Sequence, residues 1–447
     1  MSMIKKILTP SNWKKAYYYL KKNGVKSATL AALERLEKSE NDMYQYVQPS
    51  EGELAKQREI CRDGEILFSI LVPVYRTPER YFMEMIQSVL NQTYPNWELL
   101  LGDASPDESL QKLVENICDT RVRYVKIDKN EGISVNTNVI LEMAKGSYIG
   151  LLDHDDTLTP DALFEMYNTI KKCENASKVA KLIYSDEDKG DGEMRYFYDV
   201  NKKPEYDQDY LWSNNYICHF TVIEAELMKA LKFRPEFDGA QDFDIFLRAT
   251  KEISEENEKY NTDSQVVNIS KVLYHWRCHV DSTAVNPQSK LYAYEAGKRA
   301  VEENLKVRGI EATVEHSKHL GFYEVHFADI FRDRAEVAMV AGPVYSKGRI
   351  CGGARDEHGK LLYGGLRKGF SGGHLHRAGV WQKCYQADFS NAMFREELLL
   401  EFLNSKGLSS LEELLSKTGT DEDNLREAWA KYVHDKAMII LYNPQME

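Results

Sequence analysis

The sequence predicts an α/β protein built on a doubly wound, mostly parallel sheet. Short buried-type apolar runs recur between Phe68 and Leu152, and segments of helical period separate them. The last of these runs, Tyr148-Ile149-Gly150-Leu151-Leu152, leads directly into the acidic cluster Asp153-His154-Asp155-Asp156. Strands alternating with helices imply crossover connections and hence parallel neighbours.

Each element has its own signal. Phe68 to Tyr75 reads as a buried strand that Pro73 stops near its end. Phe82, Met85, Ile86, Val89 and Leu90 fall on one face of a helix. Trp97 to Leu101 forms the next strand and ends in Gly102-Asp103-Ala104-Ser105-Pro106-Asp107. Leu110, Leu113, Val114 and Ile117 mark a helix, Val122 to Ile127 a strand, and 132–144 a helix again. The charge run Lys251 to Lys259 lacks an apolar period and reads as a solvated loop.

Open α/β sheets bind ligands at the carboxyl ends of their strands, which is where the acidic cluster falls. Carboxylates two apart can share one hard divalent cation, Mg²⁺ or Mn²⁺, and such an ion bridges readily to a diphosphate. The other reading is an acidic turn capping the helix that Thr159-Pro160-Asp161 would start. Asp103 divides in the same way, between a base- or ribose-binding carboxylate and a turn aspartate.

The chain resembles glycosyltransferase family 2, nucleotide-sugar-dependent enzymes of the GT-A fold, from about Phe68 to Gly309. The resemblance rests on Val72-Pro73-Val74-Tyr75, Ser88 to Tyr94, Trp97-Glu98-Leu99, Gly102 to Ser105, Asn130-Glu131-Gly132-Ile133-Ser134 and Asp153 to Asp156. It continues through Tyr184 to Lys189, Lys203-Pro204, Asn214 to Ile217, Gly239 to Asp244 and Leu273 to Arg277. The later blocks are similar to the branch that builds O-antigen and rhamnose-containing surface polysaccharides. Arg76 stands where many members have asparagine.

The resemblance implies roles for particular residues. Pro73, Tyr75, Asp103, Asn130, Gly132, Asp153 and Arg277 are expected on the donor, a UDP- or dTDP-linked sugar. Asp155, Asp153 and His275 are expected at the Mn²⁺ or Mg²⁺ ion, which neutralises the departing diphosphate. Asp242 is the implied general base, acting on the acceptor hydroxyl so that the anomeric centre inverts. Asp244 reads as a capping or surface acid, and a helix-start carboxylate is the bland alternative for Asp242 itself. Asp186, Glu187, Trp212, Asn215, Tyr216 and Gln241 are acceptor-side candidates, suited to stacking on sugars or reading their hydroxyls.

The expected organisation is a helical N-terminal segment over 1–66, a GT-A catalytic domain over 67–310, and a smaller C-terminal α+β region over 311–447. The last contains Ala341 to Tyr345, Gly352 to Lys360 and Ala387 to Arg395, blocks like the acceptor half of a second such module. Without counterparts of the first strand and the metal acids it reads as degenerate, or else as an unrelated packing domain. Its glycine-rich stretch, Gly352 to Gly373, lacks a P-loop lysine-serine pair.

Composition fits a cytoplasmic enzyme. The 447 residues are 43% hydrophobic, with seven cysteines in no CxxC spacing. No signal peptide and no membrane-spanning run is recognisable. A net charge of -12 argues against a nucleic-acid partner. Lys5, Lys6, Lys14, Lys15, Lys21, Lys22 and Lys26 nevertheless precede the first acid, Glu34. Interleaved with Trp13, Tyr17, Tyr18 and Tyr19, they form either a surface for anionic lipid at the inner face of the plasma membrane or a solvated helix.

Three functions compete. The leading one is inverting, metal-dependent transfer of a sugar to a growing, lipid-linked surface glycan. A nucleotidyltransferase would want a glycine-rich basic loop after the first strand, where Pro73-Val74-Tyr75-Arg76-Thr77-Pro78 stands. A noncatalytic sugar-binding scaffold would be expected to have lost an acid, yet Asp103, Asp153, Asp155 and Asp242 are all present.

Overall fold

The structure is a computed structural model. It describes residues 10–36, 44–260, 263–278, 291–373, 375–417 and 419–446, the side chains of 10–16, 18 and 36 excepted. Two compact units make up the chain. One is Ser39–Tyr206 with Asn215–Asn304, and the other combines the described part of Met1–Lys38 with Asp207–Asn214 and Leu305–Glu447.

The first unit is built on a nine-stranded sheet. Its strands are β1 (Phe68–Val74), β2 (Trp97–Asp103), β3 (Val122–Lys126), β4 (Tyr148–Leu151), β5 (Thr157–Leu158), β6 (Val179–Asp191), β7 (Phe197–Asn201), β8 (Thr221–Glu224) and β9 (Ser264–Cys278). They lie in the order β3-β2-β1-β4-β8-β6-β9-β5, with β7 on β6. β3, β2, β1 and β4 are mutually parallel, as the alternation of strands and helices predicts. Antiparallel β8 then joins β4 to β6, and β6 pairs with β9 in parallel.

β2 is buried along its whole length and β1 nearly so, because helices cover both faces of this part of the sheet. The helix Glu79–Leu90 turns Phe82, Met85, Ile86 and Val89 into that core, the face its period predicts. The order reverses between β1 and β4, so a crevice opens beyond their carboxyl ends. Asp153 follows β4 into it.

The charge run Lys251 to Lys259 is helical, not a loop: it completes the helix Gln241–Tyr260. Ile253 anchors it in the core, and Lys251 pairs with Glu255 one turn on at 2.5 Å. Lys181 reaches Glu256 at 2.6 Å. The Lys251–Glu255 pair, one turn apart, supports a helix whose outer face is mainly charged.

The second unit is α+β, as expected of the C-terminal region. Its four-stranded sheet runs in the order Gln382–Cys384, Ile439–Tyr442, Val337–Ala341, Ala392–Phe394. Trp429, Phe402 and Val433 pack against it. Arg334 forks onto Asp209 at 2.8 and 3.1 Å, tying in the segment Asp207–Asn214. The helical run Pro10–Leu36 breaks at Gly24, where φ is 77°. Near its end, the Glu34 carboxylate accepts the backbone N–H groups of Ser371, Gly372 and Gly373 at 2.8 to 3.0 Å. The glycine-rich stretch thus makes an anion nest filled by the chain's own glutamate. Among the described residues no helix is long and apolar enough to cross a membrane.

Candidate active site

The acidic loop after β4 is fixed from below by Asp156. This side chain is buried, accepting the Tyr274 hydroxyl at 2.5 Å and the Arg277 backbone N–H at 2.7 Å. Burial, with Asp155 and Asp153 nearby, raises its carboxyl well above the usual range. Asp156 is therefore an anchor that leaves its neighbours to face the crevice. Asp153 is exposed over about half its side chain. Desolvation by the surrounding protein raises its carboxyl, and Asp155 and Asp242 add to that while His219 and His154 oppose it.

Asp242 stands in the first turn of the helix Gln241–Tyr260. Its Oδ2 accepts the Asn215 amide at 2.9 Å, and Cys218 also hydrogen-bonds to it. The Asn215 Oδ1 is buried without a partner. Gln241 caps inward, its Oε1 accepting the Gly239 N–H at 2.8 Å. Asp244 is no surface acid: it is buried between Arg234 and Arg248, at 2.7 Å from the latter. Two guanidiniums occupy it, whereas Asp242 keeps a face toward the crevice.

His219 is the residue that sequence reasoning missed. Its Nδ1 lies 3.1 Å from Glu187 Oε2, which also accepts its backbone N–H at 2.7 Å. Its Nε2 lies 3.7 Å from Asp153 Oδ2, and its ring stacks on Tyr274 at 4.8 Å. Burial works against charge here, yet Glu187 and Asp153 together raise the imidazole to about 9. Burial likewise disfavours ionised Glu187, but Lys203 and His219 hold it at about 2. Lys203 donates to the His219 carbonyl and lies 3.6 Å from Glu187. The available signal was one titratable residue at the mouth of the apolar run Phe220 to Ile223, just past the motif Asn214 to Ile217.

The structure thus brings Asp153, Asp155, Glu187, Asn215 and Asp242 into one neighbourhood, with His219 between the acids. Other expected residues are engaged elsewhere. Asp103 is wholly buried, holding the Ser105 N–H at 2.7 Å and the Tyr124 hydroxyl at 2.5 Å, the geometry of a turn aspartate. Arg277 is also wholly buried. Its guanidinium meets the Asp155 carbonyl at 2.6 Å, the Gly192 carbonyl at 2.9 Å and Glu84 at 2.8 Å, so it clamps the acidic loop instead of facing a phosphate. His275 bonds Asp188 at 2.6 Å and lies against Phe197.

Asn130 accepts the Gly132 N–H at 3.2 Å and orders the entry to the helix Ile133–Met143. Gly132 has φ 101°, and a Cβ there would lie 2.2 Å from Asp238. Tyr75 is exposed just beyond β1, and Pro73 pairs with Gly102 inside the sheet. On the acceptor side, Asp186 receives the Lys203 N–H at 2.8 Å. Tyr216 is core, edge-on to Tyr184. Trp212 belongs to the other unit, buried against Phe327 and Arg334.

Among the described residues no three His, Cys, Asp or Glu side chains form a metal-holding group. The donor set still fits a hard cation. Asp153 and Asp155 offer carboxylate oxygens in a locally acid-crowded place, and Mg²⁺ commonly takes one or two carboxylates with water and substrate phosphate completing its shell.

Residues 69–231 match the family model described as glycosyl transferase family 2. The chain is 42% identical over 244 residues to uncharacterized protein y4gI of Sinorhizobium fredii, covering 54% of this chain and 25% of that protein. It is 30% identical over 256 residues to the O-antigen biosynthesis protein RfbC of Myxococcus xanthus, covering 56% and 19%. The chain therefore spans a quarter or less of the length of these two relatives. An uncharacterized glycosyltransferase of Haemophilus influenzae is 32% identical over 209 residues, 46% of this chain and 80% of that protein. With the family model falling on β1 to β8 and so much of that smaller relative matched, the chain belongs to glycosyltransferase family 2.

Proposed function

We propose that the chain transfers a sugar, with inversion, from a UDP- or dTDP-linked donor to a growing surface polysaccharide carried on a lipid. The observation that carries this is Asp242, held by Asn215 beside the Asp153–Asp155 pair but not consumed by an arginine as Asp244 is. Its carboxylate takes the proton of the acceptor hydroxyl as that oxygen attacks the anomeric carbon. The bond from that carbon to the diphosphate breaks with its electron pair on the leaving oxygen. Attack from the face opposite the diphosphate gives inversion.

Asp153 and Asp155 would hold Mg²⁺ or Mn²⁺, whose charge stabilises the leaving diphosphate. His219, fixed by Glu187, adds a positive charge beside the same acids. The orphaned Asn215 Oδ1 suits a sugar hydroxyl, orienting the acceptor against Asp242. The polysaccharide class is supported by the likeness to the O-antigen biosynthesis protein.

Purified protein screened against nucleotide sugars with Mn²⁺, following nucleotide release and the anomeric configuration of the product by NMR, tests the proposal. Transfer with the donor's configuration inverted is expected. Retained configuration, or no release from any donor in the presence of polysaccharide primers, overturns it.

A further inference from the structure

A cavity of about 920 Å³ lies in the sheet-bearing unit and takes no part in the site above. β6 separates the two. Glu187 on this strand meets His219 beside the acids, while the next residue, Asp188, meets Tyr44 at 2.6 Å and His275 at 2.6 Å. Successive strand residues point to opposite faces, so the cavity wall formed by His275 and Tyr44 lies across β6 from the transfer chemistry.

The walls have a distinct character. Tyr46, Phe197 and His275 pack on one another, with Phe197 and His275 at 4.1 Å and Tyr46 edge-on to His275 at 4.5 Å. Beside them Tyr196, 74% exposed, leaves its ring free to cover a ligand. Planar amides supply much of the polar lining, from Gln45, Gln48, Gln87 and Asn91. The Tyr46 hydroxyl is buried in the wall with no partner. Charge is largely cancelled: Glu84 is paired with Arg80 and Arg277, and Arg195 lies 3.6 Å from Glu193.

A nearly neutral lining gives no reason for a nucleotide diphosphate to bind. Aromatic rings and amide heads together match a ligand with an apolar C–H face rimmed by hydroxyls. We propose that this cavity is a glycan-binding cleft that holds uncharged sugar residues of the acceptor chain at a distance from the transfer centre. The inference rests on the reading that the acceptor is a glycan. A chain held at two points meets the transfer centre at raised effective concentration, so the cleft favours long acceptors over short ones.

The test measures binding without turnover. The intact protein is probed on an array of neutral bacterial oligosaccharides, and the strongest binder is titrated calorimetrically into wild type, Tyr196→Ala, Gln45→Ala and Asp242→Asn. Tyr196 and Gln45 are exposed, so neither truncation removes core packing. Wild type and Asp242→Asn should bind alike, and each cleft variant should weaken binding by about tenfold or more. Absence of any neutral oligosaccharide ligand overturns the cleft. So does binding that Asp242→Asn abolishes and the cleft variants leave unchanged, because the transfer centre would then be the only sugar site. Neither outcome depends on whether transfer inverts, so failure here leaves the proposed reaction to its own test.

Discussion

The Asn215 amide donates to Asp242 Oδ2 at 2.9 Å, while Asp244, two residues on, is locked between Arg234 and Arg248. One turn of helix thus presents two acids with opposite fates. Asp242→Asn should lower transfer by on the order of 10²–10⁴-fold with donor affinity nearly unchanged. Asp244→Asn should instead destabilise the unit by about 3–5 kcal/mol, since it breaks a buried ion-pair network. Turnover and thermal melts on both variants separate the roles. Wild-type transfer by Asp242→Asn would mean that the base lies elsewhere.

Glu187 Oε2 holds His219 at both its backbone N–H and its Nδ1. Glu187→Gln keeps the shape but removes the charge that fixes the imidazole, and should cost about 10- to 100-fold in turnover. Because Glu187 also offsets buried Lys203, the variant should melt lower as well. A His219→Gln variant with the same kinetic loss, no further reduced by adding Glu187→Gln, would place both side chains in one unit. Additive losses in the double variant count against it.

Much of this was legible before the fold was. The period of Phe82, Met85, Ile86 and Val89 identified a helix face, and Tyr148 to Leu152 identified the strand delivering the acids. Local pattern suffices there because burial of a helix or strand follows its own period. His219 was not legible, because what gives it a role lies 32 residues away at Glu187. Arg277 shows the same limit: a guanidinium reads as a phosphate partner until Asp155, Gly192 and Glu84 are found around it. Trp212 reads as an acceptor-side residue until the short segment Asp207–Asn214 is found to belong to the other unit.

The acid-crowded crevice makes metal dependence testable. Chelator should inactivate the wild type, and Mn²⁺ or Mg²⁺ should restore it. Asp155→Ala should abolish turnover, and Asp153→Ala should weaken nucleotide binding strongly while removing one of the charges that raise the Asp156 carboxyl. Titrating nucleotide into each variant with and without metal gives a readout separate from activity. Full transfer in excess chelator would contradict the assignment.

In the other unit, His319 stacks on His376 with ring centres 3.4 Å apart. Burial, then Lys318, Lys22 and Arg35, lower its imidazole to about 3. The unfolded chain takes up a proton near pH 6.5, and the folded chain resists until about pH 3. Its contribution to stability is therefore present above 6.5 and lost as the pH falls. Between pH 7 and 5 the loss should reach about 1–2 kcal/mol. His319→Gln should flatten this part of the melting-temperature profile. An equally steep fall in the variant would assign the acid sensitivity to other groups.

The last prediction concerns the basic N-terminal stretch. Lys5 and Lys6 lie outside the described residues, as do the side chains of Lys14 and Lys15; Lys21 and Lys26 are exposed. Lys22 differs, since its amine donates to the Ser317 carbonyl at 3.0 Å. Each lysine near an anionic membrane contributes about 1 kcal/mol, and salt screens the attraction within a Debye length of about 10 Å at 0.1 M. Several acting together can hold a chain of net charge -12 at a lipid surface, provided the acidic body stays beyond that length. Wild type should sediment with anionic liposomes at low salt and be released as salt rises. Lys14, Lys15, Lys21 and Lys26 changed together to glutamate should abolish pelleting, with donor hydrolysis unaffected and Lys22 kept so that its bond to Ser317 survives. Equal pelleting of the two proteins at low salt would show that these lysines only solvate a helix.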